Sequence, residues 1–187
     1  MTIHVGLIVE NQSDEDVVYG LLAKLVTKPF GRRRFHSRGC GKLRSKCVAW
    51  AKDLYTRGCR ALVVVQDLDQ NELVQLRLAL EALIATTAFA KRAVVIPVRE
   101  IEAWLLADER AIQTSLALRN PVAATRSPEH EADAKRRLYE VIFAASDRRV
   151  EYVNTVHNKR ITTQADPEII EAKCPSFLPL RQFATML

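Results

Sequence analysis

Three apolar stretches of this sequence each run into carboxylates. Residues 2–9, TIHVGLIV, end at Glu10. Residues 61–66, ALVVVQ, end at Asp67-Leu68-Asp69, and residues 93–98, AVVIPV, are followed by Glu100 and Glu102. Short β-branched apolar runs read as buried strands. Where such strands lie parallel in one open sheet, their carboxyl ends share an edge, and ligands bind there. Acids gathered at that edge repel one another and resist ionisation. A divalent cation removes the conflict, and hard carboxylate oxygens suit Mg²⁺ or Mn²⁺, which keep waters and take substrate phosphates as further ligands. Within Asp67-Leu68-Asp69, strand alternation turns both aspartates to one side and Leu68 to the other. Each motif also has a plainer reading. An acid after a strand can cap a helix, and Glu100 and Glu102 both suit the N-terminus of a helix starting near Ile101. Glu100 joins the site if its side chain points to the strand-end edge. Asp14, Glu15 and Asp16 read as favourable charges at a helix N-terminus.

The charge pattern adds a second feature. The 187 residues include 28 basic and 22 acidic side chains, a net charge of +6. Between Asp16 and Asp53 there is no acid but ten basic residues, Arg34, Arg38, Lys42 and Arg44 among them, so the remainder of the chain carries −4. A segment of that kind suits a polyanion, because neutralising phosphates releases counterions. A solvated basic surface is the alternative. Lys42 follows Gly39-Cys40-Gly41 at an expected helix start, where free backbone N–H groups favour anions. It is a candidate phosphate contact, with Arg34 and Arg38 beside it, although the GxxxxGK[ST] spacing of a P-loop is absent. Cys40, Cys47, Cys59 and Cys174 form no CxxC pair and read as reduced thiols. The four histidines lack ligand spacing. No apolar run reaches the ~20 residues of a spanning helix, and the N-terminus lacks the basic start of a signal peptide. A cytoplasmic protein is the expectation.

The elements that must position these groups alternate. After the first strand, Ser13 and Asp16 resemble a helix cap and its partner, and Val17, Val18, Leu21, Leu22 and Leu25 have helical spacing. Residues 32–36 form a short strand, and helices follow over about 42–57 and 71–86. Pro97 in the third strong strand suggests an edge position or the strand's last turn. A helix then runs from Ile101 to about Leu116, a loop covers 119–128, and residues 129–145 are helical. Shorter helical pieces follow at 150–157, 167–172 and 177–187. The pattern predicts an α/β fold with a mostly parallel sheet flanked by helices. Residues 1–118 would be the core, and 119–187 a helical extension packed on it in one structural unit.

The order strand, Glu10, strand, Asp67-Leu68-Asp69 resembles the TOPRIM domain of topoisomerases, primases and overcoming-lysogenization-defect-type nucleases. Two further stretches, Arg99-Glu100-Ile101-Glu102-Ala103-Trp104-Leu105-Leu106-Ala107-Asp108 and Cys174-Pro175-Ser176-Phe177, resemble the domain-of-unknown-function family 4276. These are small bacterial TOPRIM-like proteins often encoded beside an ATPase. The resemblance runs from Ile3 to about Phe177. It implies a TOPRIM/Rossmann-like fold, Mg²⁺ on Asp67 and Asp69, and a glutamate, Glu10, that handles a proton or assists the metal. The motif glutamate is commonly followed by glycine. Here Asn11 follows, a residue that tolerates left-handed backbone angles.

The leading expectation is a Mg²⁺-dependent phosphodiester enzyme, a nuclease, with Glu10, Asp67, Asp69 and Glu100 in the chemistry. Glu10, Asp67, Asp69 and Glu102 would hold the metal, nucleic acid would be the substrate and an ATPase the partner in a defence or DNA-processing module. The alternative is a non-catalytic TOPRIM-like module that docks nucleic acid or an ATPase. A phosphate-transfer enzyme using the DxD pair comes third. Trp104 reads as core.

Overall fold

The computed structural model describes residues 2–187. Strands β1 (Ile3–Val9), β2 (Phe30–His36), β3 (Ala61–Val65) and β4 (Lys91–Val95) form one sheet in the order β2-β1-β3-β4, with every pair parallel. The central strands β1 and β3 are the continuous apolar ones because helices cover both sheet faces, the usual state of a parallel sheet. β4 is an edge strand, and Pro97 lies just beyond it, where its missing N–H costs no ladder bond.

Strand alternation splits the core in two. Val5, Leu7, Val9, Val63 and Val65 pack with Val17, Val18, Leu21 and Leu22 of α1 (Gln12–Leu25) and with the C-terminal helices. Ile8, Leu62 and Val64 face the other way, onto Leu43, Cys47 and Leu54 of α2 (Cys40–Thr56) and Leu76 and Leu80 of α3 (Leu73–Ala85).

The expected helix from Ile101 to Leu116 is two helices, α4 (Glu102–Leu106) and α5 (Glu109–Ser115). Asp108 breaks the run. Its Oδ1 accepts from the Ala111 amide at 3.0 Å as the cap of α5, and its Oδ2 accepts from the Asp166 amide at 2.9 Å. The helix expected over 129–145 starts at Ala134 (α6, Ala134–Ala145), after a 3₁₀ turn at Pro128–His130 and the capping carboxylate of Asp133. The piece expected at 150–157 starts later and runs longer, as α7 (Asn154–Gln164). α8 (Pro167–Lys173) and α9 (Leu178–Thr185) complete the chain. α7 lies along α1 and α9 along β4, so the C-terminal helices close one face of the sheet.

The two motif stretches meet in space. Trp104 is fully buried, edge-on to Phe177 at 5.1 Å, and its indole N–H donates to Ser176 Oγ at 2.8 Å. Among the described residues no helix is long and apolar enough to cross a membrane. All four cysteines are free thiols.

Candidate functional site

From β1 the chain crosses to β2 on one side, and from β3 to β4 on the other. The carboxyl ends of β1 and β3 therefore flank the switch point, where a crevice opens in sheets of this kind. Glu10 ends β1 and Asp67 follows β3 across that gap. The ladder continues past the regular strands, with Gln66 N–H donating to Val95 O at 3.2 Å and Leu68 N–H to Pro97 O at 2.9 Å. Alternation therefore holds through Leu68, which packs against the α2–α3 core. Asp67 faces the α1 side.

Asp69 departs from the expected alternation. Its backbone is left-handed, at φ 47°, so the chain turns and its carboxylate is exposed. Arg38 after β2 (φ 57°) and Arg99 after β4 (φ 63°) share this conformation. Non-glycine residues held there store backbone strain.

The acids do gather, and Asp14 joins the expected Glu10, Asp69 and Glu102 around Asp67. Asp67 retains some surface exposure. Burial raises its carboxyl pKa well above the ordinary range, and the charges of Asp14, Glu102, Glu10 and Asp69 raise it further, in that order. Asp14 is buried on the first turn of α1, and burial followed by Glu102 pushes it up to about 7. Asp14, read from sequence as a helix-end charge, is thus a member of the cluster with Asp67 and Glu102. Helical geometry hid it: only the first turn of α1, docked against the strand ends, aims position 14 inward.

Glu10 points to the opposite face of the sheet from Asp67. Extending the register places Ser37, Glu10 and Gln66 side by side across β2, β1 and β3 on the face that α2 covers. Glu10 is raised by burial first and by Asp69 second. The Asp67 amide and Arg44 act the other way. Glu10 Oε1, Ser37 Oγ and both polar atoms of Gln66 are buried without a partner. Sequence reading missed both: Gln66 is signalled only as a polar residue closing an otherwise apolar run, and Ser37, after the arginine-rich β2, carries no such signal.

Asn11 does not use the left-handed region. At φ −146° it is extended and caps α1. Its Oδ1 accepts from Asp14 N–H at 3.2 Å, and Asp14 Oδ2 accepts from Asn11 N–H at 3.2 Å, a reciprocal capping box. The cap is therefore Asn11 with Asp14, not Ser13 with Asp16.

Glu100, expected in the chemistry, and Glu102, expected as a metal ligand, have different surroundings. Glu100 is half-buried and its Oε2 accepts from the Lys135 amide at 2.9 Å, serving the start of α6. Burial raises it, the Lys135 amide lowers it, and Glu102 adds a smaller upward push. Glu102 is only 4% exposed and stands among the acids.

Glu15 was also expected as a helix-end charge. It is buried and takes Arg32 Nε at 2.5 Å, Arg34 Nε at 2.7 Å and His36 Nε2 at 2.8 Å. Part of the basic segment is therefore neutralised internally, and Arg34 reaches the surface from an ion pair. Arg38, Lys42, Arg44 and Lys46 are exposed. Lys42 stands in the first turn of α2, whose N-cap Gly39 offers no side-chain cap and which has no acid in that turn. A Cβ at Gly39 or Gly41 would meet open space, so the free N–H groups there are approachable.

None of Glu10, Asp14, Asp67, Asp69, Glu100 or Glu102 has a salt bridge among the described residues. In a chain with 28 basic residues, these acids feel cations only from beyond salt-bridge distance, Arg44 acting on Glu10 and Lys135 on Glu100. Also among the described residues, no three Asp, Glu, His or Cys side chains stand in an arrangement that encloses an ion directly. The donor set is all hard oxygen, which fits an ion held by one or two carboxylates with waters between it and the rest.

No curated protein and no solved structure matches the chain. The family model described as a domain of unknown function, DUF4276, matches residues 9–183, and the chain belongs to that family.

Proposed function

We propose that this protein is a TOPRIM-like, Mg²⁺- or Mn²⁺-dependent phosphodiester hydrolase acting on nucleic acid. An ATPase would be its partner in a phage-defence or DNA-processing module. The observation that carries the reading is the set of salt-bridge-free acids at the switch point of a parallel sheet, beside exposed cations and an uncapped helix N-terminus. Asp67 with one of its α1-side neighbours, Asp14 or Glu102, would hold a divalent cation directly, and waters would link it to Glu10 and Asp69 at the strand ends. A bound cation supplies a more acidic water and charge neutralisation at phosphate oxygens. Glu10, whose buried Oε1 has no partner, would accept a proton. Lys42, Arg38 and the first-turn amides of α2 would position a substrate phosphate, with Arg34 further along the same edge. Glu100 supports the site through α6.

Calorimetric titration of Mg²⁺ and Mn²⁺ into wild type and Asp67→Ala/Asp69→Ala, with nucleic-acid cleavage assayed on the same samples, tests this. The reading expects binding and cleavage in wild type and neither in the double variant. Binding without cleavage, with nucleic acid retained, favours a non-catalytic docking module. A wild type that binds neither ion overturns the metal site.

A further inference from the structure

The helical C-terminal region reaches the acid cluster at two points, and it does so with neutral groups. Tyr152 precedes α7, and its Oη lies 3.2 Å from Glu102 Oε1. Asn158, fully buried on α7, brings Nδ2 to 3.4 Å from the same oxygen, and the one Tyr152 O–H is shared between that oxygen and Asn158 Oδ1. One helical turn earlier, on the same face of α7, Asn154 Nδ2 donates to Ser13 Oγ at 3.3 Å. Ser13 in turn donates to Asn11 Oδ1 at 2.5 Å, and Asn11 and Asp14 cap each other. Two of the three inner acids, 88 positions apart in sequence by their numbers, Asp14 and Glu102, are thus tied to a single helix face.

The choice of partner is informative. Glu15, next to Asp14, is satisfied by two arginines and a histidine. α7 also carries cations, Lys159 and Arg160, but both are exposed and neither has a salt bridge among the described residues. What α7 turns inward is an amide. An amide N–H or a phenol O–H fixes a carboxylate without cancelling its charge. A cation in that place would cancel it and leave nothing for a metal to do. Glu102 Oε1 is occupied by this network, whereas Oε2 has no hydrogen bond among the described residues.

We infer that Tyr152, Asn154 and Asn158 are positioning residues that hold Glu102 and Asp14 in place for a divalent cation while leaving their charge uncompensated. The inference rests on the metal site proposed above. It makes the C-terminal helices part of that site, not a covering of the sheet alone.

The test is Mn²⁺ titration by calorimetry on the full chain, as wild type, Tyr152→Phe and Asn158→Ala, each with a metal-free thermal melt. Ile84→Val, on the far core, serves as a purely structural control. Loss of such outer contacts typically weakens metal affinity by about 10–100-fold. That weakening is expected in Tyr152→Phe and Asn158→Ala, and an unchanged Kd with a lowered Tm in Ile84→Val. If Asn158→Ala fails to fold, Tyr152→Phe, which removes only a hydroxyl, decides alone. Wild-type binding with an unaltered Kd in the folded variants overturns this inference and leaves the metal site standing. A wild type that does not bind Mn²⁺ overturns both.

Discussion

Asp14→Asn isolates the electrostatic conflict at the strand ends. Burial and Glu102 raise the Asp14 carboxyl from 3.8 to about 7. That is about three pH units, and each is about 1.4 kcal/mol of preference for the protonated form. The sign follows from proton counting. Between 3.8 and about 7 the folded chain holds a proton at Asp14 that the unfolded chain has released, so stability falls as pH rises through that window. Near pH 8 the ionised group then costs the metal-free fold about 4 kcal/mol relative to a neutral one. Asparagine is nearly isosteric, and its amide oxygen still accepts from the Asn11 amide that Asp14 Oδ2 now takes. Asp14→Asn should therefore be more stable than wild type by up to about 4 kcal/mol near pH 8 in chelator. In a domain of this size that is roughly 10 °C in Tm. The gap should close toward pH 4, and excess Mg²⁺ should narrow it near pH 8 by stabilising wild type more than the variant, which keeps Asp67 and Glu102 but lacks the third charge. Thermal melts of both proteins across that pH range, with chelator and with Mg²⁺, measure all three effects. A variant no more stable than wild type near pH 8 without metal would show that these carboxylates do not oppose one another, and the reasoning about the cluster would fall with it.

Three further expectations rest on separate contacts. Asn11→Ala should cost about 0.5–2 kcal/mol in chemical denaturation while Asn11→Gly costs only a few tenths, because the residue acts as an extended cap. Equal losses would contradict that role. Trp104→Phe and Ser176→Ala should each destabilise by about 1–3 kcal/mol, and their double variant should lose less than the two effects added, since they share one buried hydrogen bond. Strict additivity would separate the two motif stretches energetically. Lys42→Ala and Arg38→Ala should each lower the slope of log K against log salt for nucleic-acid binding by about 0.7–0.9, read by fluorescence anisotropy. Unchanged slopes would remove the α2 terminus from the phosphate path.

Much of this protein is local in origin. The apolar runs at 2–9 and 61–66 carry β1 and β3, and the run at 93–98 carries only the second half of β4, because β-branched residues covered on both sides need no alternation. Their spacing by amphipathic helices dictates a parallel sheet, and a parallel sheet places Glu10 and Asp67 on one edge. The burial of Trp104 follows equally from its apolar neighbours. What periodicity does not encode is direction at the ends of elements. The single-residue turn at Asp69 and the extended cap at Asn11 depend on which backbone groups lie within reach after packing. The same holds for the break at Asp108, whose second oxygen is claimed by an amide 58 residues away. Charge is the clearest case. Asp14 and Glu15 are adjacent acids on one helix turn, and sequence gives both the same helix-end role. A rotation of about 100° per residue turns Glu15 to the arginines of β2 and Asp14 to Asp67 and Glu102. One becomes a neutralised structural ion and the other an uncompensated member of the site, and that difference arises only when α1 docks between the sheet and α7.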